Sequence, residues 1–253
     1  MIVIDAGNTN IVFGFYSKNK LTKVIRIKTE KKINKKNKVI KNFFKFNEKL
    51  LSNFENKVCI LSSVVPSINM ILKKYFKKNN FQFYIINSKK IPFNGKINYN
   101  KKQIGSDRIA NYAFAYKKKI KNCIVIDFGT ATTLDVLNKD GIYNGGVITP
   151  GIELSLGSLK KMTAKLPLVK FKKTKKIMGT STINAIQSGF FWGYVSMIEG
   201  LIKKINLENE DNHKIVLTGG NANFFKNMFE NVFVIDDLFT SRGLHYLINE
   251  FDK

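Results

Sequence analysis

The chain has 253 residues, a formal net charge of +25, 44% hydrophobic residues and two cysteines. That length and apolar content provide for one large or two modest domains with true cores, and no apolar run approaches the length of a membrane span. All but three of the 43 basic residues are lysine, the exceptions being Arg26, Arg108 and Arg242. Lysine, with the abundant Asn, Ile and Phe, is a residue of A/T-rich codons, so genome composition accounts for the charge without a polyanionic partner. The lysines are dispersed, with runs at 31–41 and 170–176 that read as solvated loops. Such a surface binds polyanions weakly at low salt, and no specific nucleic-acid partner is expected. Cys59 and Cys123 lie in apolar runs with no metal-site spacing and read as buried free thiols of a reducing compartment. Met1 leads straight into a strand-like run, so the expectation is a cytoplasmic protein without signal peptide, anchor or membrane partner.

In chain order, strands are predicted at Ile2 to Ala6, Ile11 to Tyr16 and Leu21 to Lys28. A helix over Val39 to Asn53 carries Ile40, Phe43, Phe44, Phe46, Leu50 and Leu51 at helical spacing. Val58 to Ser62 is a buried strand, Pro66 opens a helix through Lys77, and Phe81 to Ile86 is a strand. Residues 87–102 read as irregular, and a helix runs from near Ser106 past Tyr116. The plan then repeats: strands Cys123 to Phe128, Thr132 to Leu137 and Ile142 to Val147, a helix near Ile152 to Met162 and a lysine-rich loop to Lys176. The longest helix, Thr182 to Asn206, is followed by strand Lys214 to Thr218, helix Ala222 to Phe229, strand Val232 to Ile235 and helix Leu238 to Phe251. The expected halves are residues 1–118 and 119–253.

One pattern occurs in both halves. Val3-Ile4-Asp5-Ala6-Gly7-Asn8-Thr9 and Val125-Ile126-Asp127-Phe128-Gly129-Thr130 each end an apolar run in Asp-x-Gly with Thr close behind, then enter a second apolar run, about 120 residues apart. Each reads as a β-hairpin whose bare, hydroxyl-flanked turn offers donors to a phosphate. A carboxylate ending a buried strand needs a reason, and holding a cation or water beside phosphate supplies one. A single copy is better read as an ordinary polar hairpin turn; two copies at matching positions are what a duplicated fold predicts. Two such turns facing each other would clamp a nucleotide between domains. Because lysine fills nearly every basic position, a surviving arginine marks a place where only a planar fork of donors serves, which singles out Arg108 in Gly105-Ser-Asp-Arg108.

With Gly145-Gly-Val-Ile-Thr-Pro-Gly151, Thr163-Ala-Lys-Leu-Pro167, Gly179-Thr-Ser-Thr182, Gln187-Ser-Gly189 and Leu217-Thr-Gly-Gly220, these motifs make the chain resemble a type III pantothenate kinase from end to end, within the actin-like ATPase superfamily. The resemblance implies an α/β fold of two duplicated actin-like (ribonuclease H-like) domains with nucleotide in the cleft between them, and ATP-dependent phosphorylation of pantothenate to 4′-phosphopantothenate on the way to coenzyme A. It assigns Asp5, Ala6, Gly7, Asn8, Thr9, Asn10, Ile11 and Val12 to the ATP phosphates, with Asp5 near Mg²⁺, and Asp127 to a monovalent cation (K⁺ or NH₄⁺). Thr130 becomes a nucleotide contact, and Gly219 and Gly220 let the adenosine approach. On the pantothenate side it assigns Tyr99, Gly105, Ser106, Asp107, Arg108 and Thr182, with Asp107 as general base. Two residues after Tyr99 the family commonly has Pro, where this chain has Lys101.

Other readings of these residues stand beside that one. Ser106 and Asp107 suit a helix cap, Thr182 a helix start, and Gly219-Gly220 a tight strand-to-helix turn. The alternatives for function are a non-catalytic relative with a regulatory or nucleic-acid-associated role, and a superfamily kinase for another hydroxylated small molecule. A homodimer is also expected: helix 182–206 carries a wide apolar load that includes Phe190, Phe191, Trp192, Tyr194, Val195, Met197 and Ile198. Its interior glycines 189, 193 and 200, each costing roughly 1 kcal/mol relative to Ala, suggest close packing against another subunit.

Overall fold

A computed structural model describes residues 1–30, 32–52, 54, 57–86 and 91–251. The chain forms two compact units. The first opens with β1 (Ile2–Ala6), β2 (Asn10–Ser17) and β3 (Lys20–Lys28), followed by α1 (Ile33–Phe46), α2 (Glu48–Ser52), β4 (Val58–Ser63), α3 (Pro66–Lys78), β5 (Gln82–Ile85) and α4 (Ser106–Lys117). The β2–β3 hairpin closes through Lys18 and Asn19, both at positive φ, the geometry that matches the twist of paired strands. The sheet order is β3-β2-β1-β4-β5, antiparallel from β3 to β1 and parallel from β1 to β5. Its core joins Ile2, Ile4, Phe13 and Phe15 to Phe43 and Phe44 of α1 and Leu72 and Phe76 of α3.

The second unit comprises β6 (Cys123–Phe128), β7 (Ala131–Leu137), β8 (Tyr143–Pro150), α5 (Ile152–Met162), α6 (Thr182–Glu208), β9 (Lys214–Thr218) and β10 (Val232–Ile235). Read from its β8 edge the sheet runs β8-β7-β6-β9-β10, the same order and the same mix of antiparallel and parallel pairs as in the first unit. Ile124, Ile126, Phe128, Leu134 and Leu217 face a core completed by Leu156 of α5, Phe191, Val195 and Ile198 of α6, and Phe225.

The last helix, α7 (Phe239–Phe251), clusters with the first unit although it follows the second in sequence. It lies so close to α4 that a β-carbon on Gly243 would stand 1.9 Å from the Ala110 carbonyl oxygen. The Thr240 hydroxyl donates to Asn111 Oδ1 at 2.8 Å, both residues being buried, and Phe239 meets Phe114 edge-on. The second unit accordingly spans 120–238, not 119–253.

Three further expectations change. The lysine run does not stay a loop: from Ile33 it is the first turns of α1, because lysine is a good helix former and Ile40, Phe43 and Phe44 anchor that helix in the core. The single helix expected over 39–53 is divided at Asn47, whose side-chain amide donates to the Phe43 carbonyl at 2.8 Å and closes α1. The helix expected over 222–229 is a short 3₁₀ turn at Ala222–Phe225; a segment that short does not offset helix nucleation. Lys31, Asn53 and residues 87–90 of the expected irregular stretch lie outside the described residues. Among the described residues no helix is long and apolar enough to cross a membrane.

Candidate functional site

The first Asp-x-Gly turn joins β1 to β2. Asp5 is half-buried and pairs with Val12 on one side and with Ser62 of β4 on the other, which puts it near the end of the central strand of the sheet. The turn closes where the Gly7 N–H donates to the Asn10 carbonyl at 2.9 Å. Ala6 and Ile11 are buried, which leaves their backbone as the part able to meet a ligand, whereas the side chains of Asn8 and Thr9 are exposed.

The second turn joins β6 to β7 in the same way. Asp127 pairs with Thr133 and with Thr218 of β9. Its Oδ1 occupies the space a β-carbon on Gly219 would need, 2.4 Å away, and Gly219 has φ +87°. Glycine is thus required at 219 by the turn and by the Asp127 carboxylate alone, before any adenosine is considered. Gly220 beside it is exposed and Thr130 half-buried. No three His, Cys, Asp or Glu side chains among the described residues are grouped to hold a metal ion. A lone carboxylate such as Asp5, beside the turn at the end of β1, fits Mg²⁺ carried by a nucleotide, an ion that takes one or two carboxylates and fills its shell with phosphate oxygens and water.

The third element is the N-terminus of α4. Gly105 precedes it in extended backbone, Ser106 is its first residue, and Asp107 lies in its first turn. The Asp107 carboxylate folds back, accepting the Arg108 N–H at 2.9 Å and standing 2.5 Å from where a Gly105 β-carbon would be. Ser106 does not cap the helix. Its Oγ accepts the Ser62 hydroxyl and the Ser63 N–H, each at 3.0 Å, and so ties α4 to the end of β4. Arg108 is buried, and its guanidinium carbon lies 5.6 Å from the centre of the Tyr99 ring, which is 37% exposed. Within the first unit, then, Tyr99, Gly105, Asp107 and Arg108 are neighbours. A cavity of about 440 Å³ lined by Ser63, Val64, Ile85, Ile86, Ile104, Gly105 and Ser106 opens beside them. A larger one of about 880 Å³ around His213 in the second unit contains none of the expected site residues.

Thr182 belongs to the second unit, exposed at the start of α6, where the cap is Ser181, whose Oγ accepts the Asn184 N–H at 3.2 Å. Cys59 and Cys123 are free and buried, and burial pushes the Cys123 thiol up to about 12 and that of Cys59 well above its usual range. Neither is poised for thiolate chemistry. Ser62 and Ser63 were missed by sequence reasoning. Hydroxyls at the end of a strand carry no signal until parallel pairing sets Ser62 against Asp5.

A model of the type III pantothenate kinase family matches residues 1–204. The type III pantothenate kinase of Pelagibacter ubique (strain HTCC1062) is 39% identical over 251 residues, covering 96% of each chain, and that of Halalkalibacterium halodurans is 35% identical over 248 residues, covering 98% of each. Among solved structures, a conserved putative Baf family transcriptional activator from Campylobacter jejuni aligns over 100% of this chain and 99% of its own with a TM-score of 0.62 at 24% identity. A putative N-acetylglucosamine kinase from Porphyromonas gingivalis aligns over 98% and 99% with a TM-score of 0.55 at 10% identity. At such identities these two show the fold alone, the duplicated α/β plan described above. With the family model spanning most of its length and relatives matching almost all of it, this chain belongs to the type III pantothenate kinase family.

Proposed function

We propose that this kinase transfers the γ-phosphoryl group of ATP to the 4′-hydroxyl of pantothenate, giving 4′-phosphopantothenate and ADP. The observation that carries the reading is the Asp107 carboxylate, seated over Gly105 at the start of α4 on a helix that Ser106 fixes to the strand beside Asp5. The pantothenate oxygen attacks the γ-phosphorus, the bond to the β,γ-bridging oxygen breaks, and the hydroxyl proton passes to Asp107. Such a loose transition state needs little early deprotonation, so a carboxylate that orients the hydroxyl and accepts its proton late is sufficient.

The remaining roles follow each unit. In the first, residues 5–12 hold the ATP phosphates, with Asp5 toward Mg²⁺, and Tyr99 and Arg108 line the pantothenate side with Gly105. In the second, Thr130 and Gly219-Gly220 contact the nucleotide, Asp127 holds K⁺ or NH₄⁺, and Thr182 contacts pantothenate. The cations supply charge neutralisation for the phosphates; the side chains named here bind and orient.

A homodimer is part of the reading. The apolar load of α6 is largely taken up inside its own unit, where Phe190, Trp192 and Met197 pack part-buried around Phe191, Tyr194, Val195 and Ile198. What supports a partner is the other face: a β-carbon on Gly189, Gly193 or Gly200 would meet nothing within 4 Å beyond the helix itself. In a symmetric pair one patch serves twice, so Gly193→Leu is expected to shift sedimentation toward monomer. The site of action is the cytoplasm, without a specific nucleic-acid or membrane partner.

The test of the reaction is ADP release measured with pantothenate, pantetheine and simple sugars as acceptors. Pantothenate-dependent release with formation of 4′-phosphopantothenate is expected. Turnover on a sugar with none on pantothenate would replace this substrate, and no release with any acceptor would favour a regulatory relative.

A further inference from the structure

A turn that binds phosphate has to present N–H groups and keep its carbonyl oxygens out of the way, since each carries partial negative charge. In the turn at residues 7–10, three carbonyls are occupied within the protein. The Asn10 oxygen accepts the Gly7 N–H at 2.9 Å, the Thr9 oxygen accepts the Thr29 N–H at 2.8 Å, and the Gly7 oxygen accepts the Thr29 hydroxyl at 2.7 Å. Two of those three bonds come from one residue. Thr29 is 8% exposed and follows β3 directly, so the third strand of the unit ends by strapping the turn between the first two.

The second unit repeats half of this device. Gly151 follows β8 directly and its N–H donates to the Thr130 carbonyl at 3.0 Å. Counted from the residues paired with Asp5 and Asp127, which are Val12 and Thr133, Thr9 and Thr130 hold the same place. The first turn is one residue longer, with four residues between Ala6 and Ile11 against three between Phe128 and Thr132. At the second turn there is no room for a side chain on the strap, because a β-carbon on Gly151 would lie 2.3 Å from the Thr130 oxygen and 2.4 Å from that of Gly129. The hydroxyl bond is therefore the addition that the longer turn receives.

We propose that Thr29 is a positioning residue for ATP: its hydroxyl holds the Gly7 carbonyl, and with it the N–H face of the first turn, in the orientation that receives the nucleotide phosphates. This rests on reading residues 5–12 as the phosphate site. A hydroxyl that merely satisfied a buried carbonyl would affect stability and leave the kinetic constants alone.

The experiment compares Thr29→Val, Thr29→Ala and Thr29→Ser with the parent, recording the melting temperature, kcat, and KM for ATP and for pantothenate. Losing one neutral hydrogen bond is expected to raise KM for ATP about three- to tenfold in Val and Ala, with KM for pantothenate unchanged, while Ser restores the parent value. Two hydroxyl-free variants are used so that a folding fault peculiar to valine does not decide the matter. An unchanged KM for ATP in whichever of them folds, an equal rise in both constants, or failure of Ser to restore, overturns the proposal. Thr9→Ala separates the two levels. If it raises KM for ATP while Thr29→Val does not, only the role of Thr29 falls; if it too leaves KM for ATP at the parent value, the phosphate reading of the turn falls and the proposal with it.

Discussion

Ser106 reaches back from the first residue of α4 to the end of β4, where its Oγ accepts the Ser62 hydroxyl at 3.0 Å. Since Ser62 pairs with Asp5 in the sheet, this single hydroxyl pair splints the helix that carries Asp107 to the strand that carries Asp5. The family resemblance counts Ser106 among the pantothenate residues; the two bonds its Oγ accepts lie within the protein, which supports a positioning role, while its own O–H is left to donate. Ser106→Ala is expected to lower stability by about 1 kcal/mol and to lower kcat with KM for pantothenate unchanged. A rise in that KM alone, with the denaturation midpoint intact, would return Ser106 to the substrate.

Gly105 is glycine for a local reason. An added β-carbon would stand 2.5 Å from Asp107 Oδ1, and the carboxylate is the part able to give way. Gly105→Ala should leave a folded protein with kcat reduced on the order of 10²-fold, the scale of an ångström's misplacement of a reacting group. Circular dichroism establishes the fold, and turnover above a tenth of the parent's would show that the carboxylate needs no such seat.

Asp5 and Asp127 occupy matching places in two units of the same topology, yet different roles are assigned to them. Asp5→Asn is predicted to impair use of Mg²⁺-ATP at every salt composition. Asp127→Asn should abolish the response to K⁺ or NH₄⁺, read from rates titrated with each cation against Na⁺. Parent-like cation activation in both variants would remove the assignment at Asp127.

His245 on α7 stacks on Tyr16 at 4.1 Å, and its Nε2 is buried without a hydrogen-bond partner among the described residues. Burial, then the positive amino terminus of Met1 and Lys117, lowers its pKa from 6.5 to about 4. The fold thus favours neutral imidazole. The stability this contributes is present above pH 6.5 and is lost as pH falls through that value toward about 4, where the folded state also protonates. His245→Phe keeps the stack and removes the proton, so its urea midpoint should fall less between pH 7 and pH 4.5 than the parent's. Equal falls would place the acid sensitivity elsewhere.

Much of the fold was legible because local signals and global topology agree. Ile2–Ala6, Cys123–Phe128, Ile152–Met162, Lys214–Thr218 and Val232–Ile235 lie at the predicted bounds, since apolar runs bounded by turn residues mark buried strands and helical spacing marks an amphipathic helix. The start of α1 was hidden because lysine suits a solvated loop and the outer face of a helix equally. The allegiance of α7 was hidden because chain order does not say which sheet a helix covers; it is decided by Gly243 lying bare against Ala110. The site was legible as motifs. Its splint at Ser62 and its strap at Thr29 were not, because both act through pairings between residues 44 and 22 positions apart.

The proposed phosphoryl transfer to pantothenate stands or falls on Asp107. ATP affinity at equilibrium, and the rate of phosphoryl transfer to pantothenate in a single turnover, should be measured side by side for the parent and Asp107→Asn. Because this carboxylate serves the acceptor hydroxyl and not the nucleotide, transfer is predicted to fall on the order of 10²- to 10⁴-fold while ATP affinity stays within about twofold, too small a change to count as a lost contact. A folded Asp107→Asn protein that transfers phosphate at near the parent's rate would show that Asp107 does no more than begin a helix.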